Sequence, residues 1–136
     1  IGNWTALPES SRNALAQLQS DTEKNTGLTL NIAVNYSSRS ELERAIRAIA
    51  EDVAQGRLQS EEITGERIES YLYTAGIPDP DLLIRPGGEH RLSNFLLYQA
   101  AYTELVMSEV LWPEFSRAQF IDALRDYQQR QRRYGS

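Results

Sequence analysis

Apolar residues at Leu42, Ala45, Ile46, Ile49, Ala50 and Val53 recur every three or four positions, which predicts one apolar face of a packed helix. Ser38 with Glu41, or Ser40 with Glu43, has capping-box spacing at its start, and Gly56 stands just past its end. Upstream, Leu28, Leu30, Ile32 and Val34 alternate with Thr29, Asn31, Ala33 and Asn35, the period of a strand entered through the Asn25-Thr26-Gly27 turn. Residues 8–24 read as a helix ahead of that turn, and residues 1–4 as the tail of an earlier strand.

Two short apolar runs, residues 82–84 and 105–107, are bounded by prolines or charges and read as buried strands. A weaker helix is predicted over residues 64–73, with Ile63 and Ile68 spaced for a hydrophobic staple. A final helix begins at Ser116, where Gln119 completes a capping box, and carries Phe120, Ile121, Leu124 and Tyr127 on one face. Alternating strands and helices predict an α/β fold: a mostly parallel central sheet flanked by helices, with ligands beyond the carboxyl ends of the strands. Residues 1–136 are read as one domain with one core.

Composition narrows the chemistry. There is no cysteine and one histidine, His90, so thiolate and histidine-rich zinc sites are excluded and a metal would be a hard ion on oxygen ligands. The net charge of −5 argues against a nucleic-acid surface. Positive charge is concentrated instead at Arg85 and Arg91, around a glycine pair, and at Arg125, Arg130, Arg132 and Arg133 near the end, either of which suits a small anion. No apolar stretch approaches the roughly 20 residues that span a bilayer, and no segment has the basic start and apolar middle of a signal peptide. The expected location is cytoplasmic. The opening Ile1-Gly2-Asn3-Trp4, without methionine, leads us to read the chain as part of a longer protein.

The densest chemistry lies in Asp81-Leu-Leu-Ile-Arg85-Pro-Gly-Gly-Glu89-His90-Arg91-Leu-Ser93-Asn94-Phe95, where a buried strand runs into a loop rich in anion-binding groups. Gly87 and Gly88 allow close approach of backbone to a ligand, Arg85 and Arg91 supply planar donor forks, and Ser93 adds a hydroxyl. The residues alone leave two readings open: a diphosphate loop, or a surface turn whose arginines pair with Glu89 and nearby acids. The glycine pair fits neither the Walker pattern nor the dinucleotide fingerprint.

Pro78-Asp-Pro-Asp-Leu-Leu-Ile-Arg85, then Gly87-Gly-Glu-His-Arg91-Leu-Ser-Asn-Phe-Leu-Leu97, Gln99, Ala101-Tyr102, Glu104-Leu105 and Trp112-Pro-Glu-Phe115, resembles adjoining signature blocks of cis-prenyltransferases of the undecaprenyl diphosphate synthase type. Leu30-Asn-Ile-Ala-Val-Asn-Tyr36, Arg39 and Glu41 are similar to the preceding block. The likeness covers nearly the whole chain and implies the C-terminal half of that fold. It implies elongation of an allylic diphosphate, such as farnesyl diphosphate, by isopentenyl diphosphate to a polyprenyl, undecaprenyl-like diphosphate. By this resemblance Arg85, Arg91, Leu92 and Ser93 bind isopentenyl diphosphate and Glu104 helps hold Mg²⁺. Without it, Glu104 reads as a solvated acid at a strand start.

Arg133-Tyr134-Gly135 resembles the family's C-terminal Arg-x-Gly, which implies that Arg133 and Gly135 reach the diphosphate site of a partner in a homodimer. A basic helix end complementing the macrodipole would account for the arginines too. The apolar run over residues 95–102 and the frequency of two-fold dimers favour the dimer. Peripheral membrane association through the lipid product is a further expectation.

The chain departs from the family pattern at three places. Pro86 stands where a Thr or Ser is usual, removing a hydroxyl and an N–H; Ser37-Ser38 replaces Gly-Gly; and Tyr98 replaces a Trp. The N-terminal block with the Mg²⁺-binding aspartate has no counterpart here, so no catalytic residue is assigned within the chain and the chain alone is expected to be inactive. The reaction needs positioning and electrostatic stabilisation rather than a covalent nucleophile. Two other classes remain open: a non-catalytic subunit of a heteromeric cis-prenyltransferase, which tends to lose substrate residues that this chain retains, and a terpene-cyclising relative.

Overall fold

In the computed structural model, which describes residues 1–130, the Ser37 hydroxyl accepts the Ser40 N–H at 3.2 Å and starts α2, Ser38–Ala54. The cap is one residue upstream of the expected capping boxes. Ahead of it lie a short 3₁₀ turn, Trp4–Ala6, and α1, Glu9–Thr22, whose first-turn Glu9 complements the helix dipole. Residues 1–76 form one compact unit and a second begins at Ile77.

The expected strand at residues 28–34 does not form. A strand needs a ladder along its length, and the backbone partner recorded here is the short stretch at residues 1–3. The Ile1 amino group donates to Ile32 O at 2.8 Å and Val34 N donates to Ile1 O at 2.9 Å, the pair of bonds of one parallel bridge about Ala33. Leu28 and Leu30 stay 93% and 73% exposed. Gly2 permits this approach, since a Cβ there would lie 2.3 Å from Val34 O. Between α1 and this segment is an open groove of about 530 Å³, lined by Leu15, Leu18, Leu30, Ile32 and Val34.

The buried stripe of α2 is rotated from the apolar face expected of it. Ser38, Glu41, Ala45 and Ile49 are buried, while Ile46 is 64% exposed. The cause is a carboxylate turned inward: Glu41 accepts hydrogen bonds from the Tyr36 hydroxyl at 2.6 Å and the Tyr73 N–H at 2.7 Å. The same bond ends the next helix early. Thr64 caps α3, Gly65–Glu69, but the Tyr73 amide goes to Glu41, and Tyr71 and Leu72 bond three residues back, so the helix stops short of residue 73. Arg44 donates to Tyr71 O and lies over the Tyr73 ring, 4.2 Å from its centroid. Leu58 and Leu72 complete this core.

The second unit is built on β1, Leu82–Pro86, and β2, Glu104–Ser108, paired in parallel with Leu82 opposite Glu104 and Pro86 opposite Ser108. Both predicted runs are strands, and the α/β class with a parallel sheet holds. After a 3₁₀ turn at Trp112–Glu114, α4, Arg117–Gln129, packs on β2. Its cap is the predicted box: Gln119 Oε1 accepts the Ser116 N–H at 3.0 Å, and the Ser116 hydroxyl accepts from the Ala118 N–H and from the third residue of the helix. Val106, Ala100 and Ala123 are buried here. Among the described residues no helix is long and apolar enough to cross a membrane.

Candidate functional site

At the carboxyl end of β1 the chain turns through Gly87 (φ 102°) and Gly88 (φ 71°), left-handed angles that suit glycine. Both glycine amides are occupied, Gly87 N by Val110 O and Gly88 N by Ser108 O, each at 2.9 Å. They tie the turn to the end of β2 and the residues just after it, so neither glycine amide is left for a ligand. Glu109 sits against this turn: a Cβ on Gly88 would lie 2.8 Å from its Oε2.

Arg85 is half-buried in β1, opposite Met107, and makes no side-chain hydrogen bond or ion pair among the described residues. Arg91 is ion-paired with Glu89, in an exposed pair worth little in water. His90 Nε2 lies 3.5 Å from Glu109 Oε1. Leu92 is half-buried and its carbonyl accepts the Phe95 N–H at 3.1 Å. Ser93 is exposed, and it (φ 48°), Asn94 (φ 64°) and Leu96 (φ 46°) are left-handed, conformations that cost a non-glycine residue about 1 kcal/mol or more each. The loop is thus folded tightly enough to hold three non-glycine residues at positive φ.

Glu104 lies at the other end of the ribbon. Its register partner is Leu82, three residues before Arg85, an offset of roughly 10 Å along the strand. Its Oε2 accepts from Arg130 Nη1 at 3.0 Å, and the same nitrogen donates to Leu105 O at 2.9 Å. Arg130 Nη2 donates to Asp126 Oδ2 at 2.7 Å. Asp126 first, then Glu104, hold Arg130 above the ordinary guanidinium range. Arg85 thus stands near the carboxyl end of β1, Arg91 and Ser93 follow on the loop after it, and the pairing of the strands sets Glu104 at the opposite end of the ribbon. Arg133 and Gly135 lie outside the described residues.

Among the described residues no group of three or more His, Cys, Asp or Glu could by itself hold a metal ion. Mg²⁺ typically takes one or two carboxylates, with phosphate oxygens and water completing the shell. Glu104, with one oxygen held by Arg130, fits a single ligand of such an ion.

The Prenyltransf family model, undecaprenyl diphosphate synthase, matches residues 1–135. The chain belongs to this family of prenyltransferases. It is 52% identical over 135 residues to the isoprenyl transferase of Geobacillus kaustophilus and 52% identical to that of Rhizobium meliloti, covering 99% of this chain and 52% and 55% of those relatives. Among solved structures it is similar to lavandulyl diphosphate synthase from Lavandula x intermedia in complex with dimethylallyl diphosphate, with a TM-score of 0.97 and 38% identity, covering 100% of this chain and 58% of that one. The structure described as a probable undecaprenyl diphosphate synthase from Campylobacter jejuni matches with a TM-score of 0.82 and 30% identity, covering 61% of its chain. The chain thus spans about half the length of the curated relatives it matches.

Sequence reasoning missed three arrangements: the buried Glu41, the Glu109 carboxylate beside the glycine turn, and the Arg130 contact with Glu104. Only the first left a signal, the spacing of Glu41 four and eight residues before Ala45 and Ile49.

Proposed function

We propose that this chain carries the isopentenyl diphosphate site of a cis-prenyltransferase that elongates an allylic diphosphate to an undecaprenyl-like product. The observation that carries the reading is Arg85, a half-buried guanidinium at the carboxyl end of a parallel strand with no partner among the described residues, followed directly by the loop with Arg91 and Ser93. A half-buried charge with no partner among the described residues is partly desolvated without compensation, and a diphosphate would supply the compensating anion.

Arg85 and Arg91 grip the diphosphate oxygens, Arg91 exchanging its exposed pair with Glu89 for the stronger charge-assisted bonds of the substrate, while Ser93 donates its hydroxyl. Leu92, half-buried, stands between Arg91 and Ser93 on this loop. Fixing the diphosphate orients the isopentenyl double bond toward the allylic carbon, which is catalysis by positioning. Mg²⁺, when bound with Glu104 as one ligand, supplies charge stabilisation for the departing allylic diphosphate. The complex of the related lavandulyl enzyme with dimethylallyl diphosphate supports an allylic diphosphate as the second substrate.

The two compact units belong, on this reading, to one domain of a cytoplasmic homodimer, with Arg133 and Gly135 serving the partner's site and the membrane met through the lipid product. In the full-length enzyme, Arg91→Ala should raise the KM for isopentenyl diphosphate at least tenfold, since each charge-assisted bond is worth roughly 1.5–3 kcal/mol. An unchanged KM would remove Arg91 from the site.

A further inference from the structure

We propose that Arg130 is a positioning residue that orients the Glu104 carboxylate for Mg²⁺. The inference rests on the reading of Glu104 as a metal ligand and extends it to a residue on α4's C-terminal edge. Arg130 occupies the helix C-cap, its own N–H donating to Tyr127 O at 3.1 Å. Its guanidinium uses Nη2 and Nε on the two oxygens of Asp126, at 2.7 and 3.4 Å, and Nη1 on Glu104 Oε2 and Leu105 O. Leu105 is the residue after Glu104, so the arginine is pinned to the very backbone that carries the carboxylate it holds.

Charge and geometry then point the same way. Two carboxylates and one guanidinium leave the cluster one negative charge. Both Asp126 oxygens and Glu104 Oε2 face Arg130, so Glu104 Oε1 is the oxygen left to meet a cation. The Arg130 and Glu104 side chains are 31% and 25% exposed, whereas both members of the Arg47–Glu43 and Arg125–Asp122 pairs are about 70% exposed. Screening and side-chain entropy therefore loosen this contact less. A lysine could reach Glu104 but has no planar fork to span both acids and the carbonyl.

The test is Mn²⁺ binding, followed by electron paramagnetic resonance at fixed isopentenyl diphosphate, in the full-length polypeptide carrying this segment, with unfolding midpoints measured alongside. Arg130→Gln should weaken Mn²⁺ binding about tenfold or more, the usual effect of removing a partner that orients a metal ligand. Arg130→Lys should recover part of the loss. Asp126→Asn, which leaves Arg130's full charge facing Glu104, should also weaken binding and tests the proposal should Arg130→Gln not fold. If Glu104→Gln abolishes binding while Arg130→Gln and Asp126→Asn bind as the parent does and only melt earlier, Arg130 is a fastener of α4 and the inference falls alone. If Glu104→Gln itself binds Mn²⁺ normally, the metal reading of Glu104 falls and takes the inference with it.

Discussion

The Tyr36 hydroxyl donates to Glu41 Oε2 at 2.6 Å, and Glu41, at 1% exposure, is the largest fully buried side chain of the described residues. Its other oxygen takes the Tyr73 N–H, so one carboxylate joins the chain before α2 to the chain after α3. Glu41→Ala should lower the unfolding free energy by roughly 3 kcal/mol, and Tyr36→Phe by about half as much, since each hydrogen bond to a charged group contributes about 1.5–3 kcal/mol. Urea unfolding of the two variants checks this; equal, small losses would mean that the carboxylate is not a structural centre.

Stability should depend on pH through a second carboxylate on α2. The Tyr71 hydroxyl, first, and Arg57 hold Asp52 below the ordinary 3.8, and the same bond raises Tyr71 above 10.0. A depressed carboxyl stabilises the fold above its unfolded pKa and ceases to as pH falls through the folded one. A raised phenol stabilises below its unfolded pKa and ceases to as pH rises through the folded one. Tyr71→Phe should therefore lower the urea midpoint at neutral pH and flatten its decline at both the acid and alkaline ends. A parallel downward shift at every pH would contradict the coupling.

What could be read from the sequence was what local physics decides. The Ser116 and Gln119 box, the two short apolar strands and the span of α2 depend on residues a few positions apart, and each stands where the pattern put it. The segment at 28–34 shows the opposite case, because alternation records which faces a strand could bury but not whether a ladder partner lies alongside. Glu41 was misjudged as a capping acid since hydropathy cannot register a tyrosine hydroxyl and a distant amide waiting for it. Arg85, Arg91 and Ser93 stood out as anion-binding groups from their chemistry, but only the family likeness favoured a diphosphate loop over a surface turn. Arg130 stayed hidden because its partner is 26 residues away.

The shared-site arrangement of the proposed homodimer predicts complementation. Mixing Arg133→Ala and Arg91→Ala full-length chains should restore activity, because one of the two sites of each hybrid would combine an intact loop with an intact tail. Activity no higher than that of the separate variants, with subunit exchange demonstrated, would place Arg133 in its own subunit's site or in none.

The most direct test of the diphosphate loop is calorimetric binding of isopentenyl diphosphate to the full-length protein and its Arg85→Ala and Glu89→Gln variants. Losing Arg85, which has no partner among the described residues, should weaken binding at least tenfold, the equivalent of one charge-assisted bond. Glu89→Gln, which releases Arg91 from its ion pair, should bind at least as tightly as the parent. Parent-like affinity in Arg85→Ala, or a loss of affinity in Glu89→Gln matching that of the arginine variant, would contradict the account and leave the loop a surface turn held by its own salt bridges.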